Sequence, residues 1–331
     1  FHLVVESGAA AGKTLKIGTV DRTTNTIGFG GGEDPNVVNL ISPGDAVRVD
    51  NSLYLALQTY HRHQVPPSGY PVWDQFRDAD GKPLYLQRPM LLGPLFTQGT
   101  AGTVPTGRFK GKMIVVASLL DREAYPWQAD WYRSKVEEHL GGALDEHFRL
   151  WFTDNALHGD SERQDDRTRS VSYLGVLHQA LRDLAAWVEA DAAPPASTRY
   201  RVVDGQVQVA AAAAERMGIQ PVVSLTANGA ERTQVSVGER VSFAGRIEAP
   251  PAAGKIVSAE WDFDGSGAFA QPAAIGKSAS AVAVRASRSF PKAGTYFVTL
   301  RAALQRDGDA GSPYARVQNL ARVRVVVGPE Q

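Results

Sequence analysis

Hydrophobic and polar positions change rhythm several times along the chain. Up to about residue 64 they alternate in short stretches, as at residues 14–20 and 46–50, with glycine, asparagine and aspartate between them. Period-two alternation punctuated in this way predicts a β-rich region. Ser42-Pro43-Gly44-Asp45 reads as a turn, with proline presetting one φ and glycine supplying a positive one. Residues 65–110 are rich in proline, glycine and aromatics with little period, which predicts an ordered loop region or cap.

From Lys112 the pattern changes character. Residues 113–120 form a continuous apolar run, as expected of a strand covered on both faces of a parallel sheet, and the run ends at Asp121. Residues 128–140 are amphipathic and stop at Gly141-Gly142, a helix C-terminal signal. Residues 148–153 predict a second strand, followed by a polar loop that holds His158. Leu174, Leu177, Leu181, Leu184 and Val188 recur at spacings of three and four, which places them on one face of a helix. The order strand–Asp–helix–strand–His–helix is an α/β arrangement over 111–195. Residues 196–218 read as a linker with a short hairpin turning at Gly205, and from residue 219 onward everything alternates, which predicts an all-β sandwich to the end of the chain.

Composition adds limits. A chain of 331 residues is too long for one compact core and suits two or three domains. Lys plus Arg equals Asp plus Glu at 35 each, so charge gives no reason to expect a nucleic-acid partner. No run reaches the roughly 18 apolar residues of a membrane span. The absence of cysteine excludes disulfides, thiolate metal sites and a cysteine nucleophile. The first residue is Phe1, with neither an initiator methionine nor a signal sequence, which reads as a processed or excised piece of a longer polypeptide or as a trimmed product.

Two linked motifs in the last third carry a family resemblance. Val257-Ser258-Ala259-Glu260-Trp261-Asp262-Phe263-Asp264-Gly265, followed by Arg288-Ser289-Phe290 and Gly294-Thr295-Tyr296-Phe297-Val298, resembles the polycystic-kidney-disease (PKD) type of β-sandwich over about residues 219–331. The chain departs from that pattern where Asp264-Gly265 replaces Gly-Asp-Gly and where Ser289-Phe290 stands for His-x-Tyr. The resemblance implies that Trp261 and Tyr296 are core residues and that the module is an extracellular spacer or adhesion domain. Asp262-Phe263-Asp264-Gly265-Ser266-Gly267 also looks like the start of a calcium loop, but it lacks the bidentate Glu at loop position 12. A turn built on Asp and Gly is the preferred reading.

Asp121 and His158 carry the catalytic argument. A Ser–His–Asp machine needs an imidazole to take the serine proton and a carboxylate to orient that imidazole. The two residues follow successive strands in the acid-then-His order of α/β-hydrolases. Together with Trp127-Gln128-Ala129-Asp130-Trp131-Tyr132 and the stretch from Leu177 to Pro195, they make residues 111–195 similar to the end of tannase and feruloyl-esterase-type hydrolases. No serine of the chain has the G-x-S-x-G frame of a nucleophile elbow. The nucleophile is therefore expected in an upstream segment or a companion chain, and a non-catalytic relative is the remaining option. An aspartate after a strand can equally be a helix cap, and a loop histidine a solvated one. His147 precedes its strand and falls at the wrong end of the sheet, while His178 lies mid-helix.

His61 and His63 alternate on one strand and could share a metal ion, but no third ligand stands nearby in sequence. They could instead line a substrate cleft together with Tyr70 and Trp73, or serve structure alone. The combined expectation is an α/β plus all-β chain: a β-rich N-terminal region, the C-terminal part of an α/β-hydrolase sheet, and an immunoglobulin-like sandwich of PKD type. Its expected activity is that of a secreted or periplasmic bacterial serine hydrolase acting on small or polymer-derived esters, without cofactor or metal, completed by a companion chain or upstream segment. The rival expectations are a non-catalytic extracellular binding protein, or peptidase or amidase chemistry on the same fold.

Overall fold

A computed structural model describes residues 1–31, 34–52, 54, 62–67, 69, 71–88, 105–160 and 167–328. The chain divides into two compact units, Phe1–Val104 and Pro105–Gln331.

In the first unit, β1 (His2–Val5), β2 (Thr14–Asp21), β3 (Thr26–Phe29) and β4 (Val47–Asp50) form an antiparallel sheet in the order β3-β2-β1-β4. Leu3, Val5 and Ala10 form its buried core, with Ile17, Phe29 and Ile41 packed against them, and Leu15 is buried as well. The turn before β4 closes with the Asp45 amide donating to the Ser42 carbonyl at 3.0 Å, and Gly44 takes a φ of 97° there.

The second unit begins with β5 (Met113–Ser118) and β6 (Phe148–Thr153), which pair in parallel from Met113↔Phe148 to Ser118↔Thr153. Between them lies α1 (Trp127–Leu140), which ends where Gly141 adopts a φ of 53°. After β6 comes α2 (Leu174–Ala190), then the hairpin β7 (Tyr200–Val203) and β8 (Gln206–Val209). The remaining strands are β9 (Val222–Ala227), β10 (Arg232–Ser236), β11 (Arg240–Glu248), β12 (Lys255–Asp262), β13 (Gln271–Pro272), β14 (Ala281–Ser289), β15 (Gly294–Gln305) and β16 (Val317–Gly328). They form a five-stranded sheet, β10-β16-β15-β12-β13, and a three-stranded sheet, β14-β11-β9. Val241, Phe243 and Ile247 from the smaller sheet share one core with Ile256, Trp261, Val298, Leu300 and Val323 from the larger. Trp261 is 3% exposed and stacks on Phe263 at 5.4 Å, and Phe243 meets both rings. Tyr296 packs at the edge of this core, 4.4 Å from the buried Phe290 ring, and its hydroxyl donates to the Lys292 carbonyl at 2.9 Å.

The α/β-hydrolase expectation is corrected by this architecture. Among the described residues 37% are in strands against 18% helical, and the strands are spread over several small sheets. That is not a central sheet flanked by many helices. Two local features account for the difference. All six residues of β5 are only half-buried, so its apolar run does not mark a strand covered on both faces. On the other side, β6 pairs with no further strand among the described residues, because residues 196–198 occupy its outer edge. There the Thr198 amide donates to the Leu150 carbonyl at 2.9 Å, while the Leu150 and Phe152 amides donate to the Ser197 and Thr198 hydroxyls, each at 3.1 Å.

The leucine face of α2 is not the side of the helix that packs. The helix forms, but Leu181 and Val188 are about three-fifths exposed, and Leu174 and Leu177 are exposed as well. The buried side is Gly175, Val176, Gln179, Ala180, Asp183 and Trp187. Trp151, Val176 and Ala180 belong to the same hydrophobic core as the sandwich. The helix has therefore turned toward the β-sandwich, and Asp183 on that side pairs with Arg306 at 2.7 Å.

Candidate active site

Because β5 and β6 run parallel, the loops that follow them leave the same end of the pair. Two amides prolong the alignment beyond the strands: Leu119 donates to the Thr153 carbonyl at 2.9 Å and Leu120 to the Ala156 carbonyl at 3.0 Å. Asp121 follows β5 by three residues and His158 follows β6 by five. His158 Nδ1 lies 2.9 Å from Asp121 Oδ2 and 3.1 Å from Oδ1. The structure thus brings together the two residues that the order of strands and polar loops singled out.

The pair is asymmetric in its surroundings. The Asp121 side chain is 11% exposed and that of His158 is 47% exposed. Asp121 Oδ1 also accepts the amides of Glu123 and Ala124, at 2.9 and 2.8 Å. Burial works to raise the Asp121 pKa, but these two amides and the His158 ring outweigh it and hold the carboxyl below its ordinary value. The hydrogen bond to Asp121, then its charge, raises the His158 pKa above the ordinary value, and the Glu123 charge adds to this. Glu123 was not singled out by sequence reasoning. Its Oε2 lies 3.7 Å from His158 Nε2 on a side chain that is 72% exposed. The only sequence signal for it was a second carboxylate two residues after Asp121.

Chemically, a carboxylate fixed at Nδ1 sets the tautomer of a neutral imidazole, with the proton on Nδ1 and the lone pair on Nε2. An Nε2 on a half-exposed ring, bordered by a mobile-length carboxylate, is a site that can accept a proton from a group arriving from solvent and return it.

The remaining candidates belong to other elements or lie outside the described residues. His63 and Trp73 belong to the first unit. His63 Nδ1 is 2.8 Å from the Leu86 carbonyl, and its ring meets Tyr85 edge-on at 6.1 Å. Trp73 is half-buried in the helical turn Pro71–Phe76. His61 and Tyr70 lie outside the described residues. His147 stands at the start of β6, with Nδ1 2.9 Å from the Gly111 carbonyl, and His178 is on the exposed side of α2. Asp262 is buried and accepts the amides of Gly265, Ser266 and Gly267 at 3.0, 3.3 and 2.8 Å, while Asp264 accepts that of Ser266 at 3.1 Å. The loop therefore folds around its own carboxylates. Among the described residues no group of three or more His, Asp and Glu is arranged to hold a metal ion.

No protein-family model matches this chain, and no curated protein matches it either.

Proposed function

We propose that Asp121 and His158 form the acid–base half of a hydrolytic site that acts by acyl transfer on ester substrates. The observation that carries this reading is the 2.9 Å contact between His158 Nδ1 and Asp121 Oδ2 at the shared end of two parallel strands. In the proposed cycle His158 Nε2 takes the proton of an attacking hydroxyl. The imidazolium that results is stabilised by Asp121, and it returns the proton to the leaving alkoxide as the tetrahedral intermediate collapses. A second turn with water frees the acid. Asp121 orients and stabilises without itself becoming protonated.

The nucleophile in this reading comes from a companion segment, since no serine of the chain stands in a G-x-S-x-G frame. Secretion and an ester of small or polymeric origin belong to the same proposal. The mostly β architecture favours a second reading, a binding protein in which the pair only staples two loops together.

The two readings separate in one experiment. On the intact assembly, His158→Ala is expected to lower p-nitrophenyl-ester turnover by about 100-fold or more, and a fluorophosphonate probe is expected to label a partner chain. Unchanged turnover in His158→Ala with no labelled chain would establish the binding reading instead.

A further inference from the structure

The loop that carries His158 leaves β6 through Asp154 and Asn155, and both residues are tied to the β-sandwich. The Asp154 amide donates to Gln220 Oε1 at 2.7 Å, and Gln220 Nε2 donates to the carbonyls of Asp154 and Gln318, each at 2.9 Å. Asn155 takes a left-handed φ of 57°, and its Nδ2 donates to Asn319 Oδ1 at 2.9 Å and to the Leu320 carbonyl at 3.2 Å. Adjacent residues of β16 therefore hold adjacent residues of the loop.

Asn319 is 2% exposed and occupies the same alternate row of β16 as the buried Val317, Val323 and Val325. An amide in that row is costly unless it is fully bonded. Its Oδ1 accepts from Asn155 and from the Leu320 amide at 2.8 Å, and its Nδ2 donates to the Pro221 carbonyl at 2.8 Å. From Asn155 the connection to the site is short. The Asn155 carbonyl, three residues before His158 in the chain, accepts the Val171 amide at 2.8 Å. The next residue, Ala156, holds the Leu120 amide beside Asp121.

From this geometry we infer that Asn319 is a positioning residue for the Asp121–His158 pair, acting through Asn155. The β-sandwich is then a working part of the site and not a detachable spacer. The catalytic meaning rests on the proposed acid–base role of His158, but the positioning is tested without turnover. The groups facing His158 among the described residues are Asp121 and Glu123, so its titration reports how well it is held against them.

The experiment is an NMR titration of the His158 ring, assigned with His158→Gln, in four variants. Asn155→Gly keeps the left-handed backbone accessible and removes the side chain with its amide group. Asn319→Ala removes its partner, the double variant closes the cycle, and Gln305→Ala serves as control. Gln305 is an equally buried amide, on β15, that serves the Asp307–Asp309 turn instead. The expected result is a fall of the His158 midpoint toward about 6.5 in each single variant, no further fall in the double variant, and no change in the control. An unchanged midpoint in Asn155→Gly would overturn the inference. So would effects that simply add, or a control that shifts as much as the variants. Asn155→Gly alone decides the matter if Asn319→Ala does not fold.

Discussion

Gly175 in α2 lies directly against the backbone of Arg316, so closely that a Cβ on the glycine would stand 1.9 Å from the Arg316 carbonyl oxygen. This contact sets how near the helix comes to the start of β16. Helix propensity alone says that Gly175→Ala stabilises by about 1 kcal/mol. The packing says the reverse, because the neighbour is backbone and cannot swing aside. Gly175→Ala is expected to destabilise by about 3 kcal/mol, measured by urea denaturation, and a variant as stable as the parent would disprove the close approach.

The orientation of α2 gives a second test. Trp187 is 3% exposed, with Arg149 4.7 Å and Lys112 4.9 Å from its ring centre. Trp187→Ala is expected to cost about 3–5 kcal/mol. Leu181→Gln, on the exposed side, should stay within about 0.5 kcal/mol of the parent. Thermal denaturation compares them, and a large loss in Leu181→Gln would mean that the leucine face is covered after all.

The raised His158 pKa and lowered Asp121 pKa fix the sign of the pH dependence. The pair stabilises the fold most between the ordinary carboxyl value of 3.8 and the ordinary imidazole value of 6.5. That contribution fades as pH falls through the Asp121 midpoint, below 3.8, and as pH rises through the His158 midpoint, above 6.5. Base catalysis needs the neutral ring, so kcat/KM for ester turnover should rise with pH through the raised His158 midpoint. Asp121→Asn should move that limb to lower pH while lowering the plateau by about 10⁴-fold. A limb that stays in place in Asp121→Asn would show that the carboxylate does not set the titration.

The Asp262 loop supplies the fourth test. Burial, followed by the neighbouring Asp264, raises the Asp262 pKa, while amides of the loop work against the rise. A loop that satisfies its carboxylate internally has no need of a cation. Asp262→Ala is expected to lower stability by about 1–3 kcal/mol, by the same amount with and without millimolar calcium. A parent protein whose melting temperature climbs on adding calcium would favour the cation reading.

What the sequence made legible was local. The proline–glycine turn at 42–45, the helix end at Gly141 and the placement of Asp121 and His158 after successive strands all rest on residues within a few positions of one another. What it hid was set by distant partners. The leucines of α2 have an ideal spacing for a buried face, yet the face that packs is the one bearing Gly175 and Trp187, because Arg316, just before β16, meets Gly175 from 141 residues further along. The apolar run of β5 predicted a wide parallel sheet, but nothing in that run states how many strands lie beside it. Asn155 gave only the weak signal of an asparagine in a polar run, a residue type that tolerates left-handed backbone. Its role depends on Asn319, 164 residues away.

The hydroxyls of Ser197 and Thr198 along β6 have a consequence for how the molecule behaves in company. Open strand borders are where proteins stick to copies of themselves, by offering amides and carbonyls in a ready-made row. Here the amides of Leu150 and Phe152 and the carbonyl of Leu150 are already taken by the chain's own serine and threonine residues. That flank is guarded against aggregation by side chains too short to be displaced without unfolding the segment that carries them.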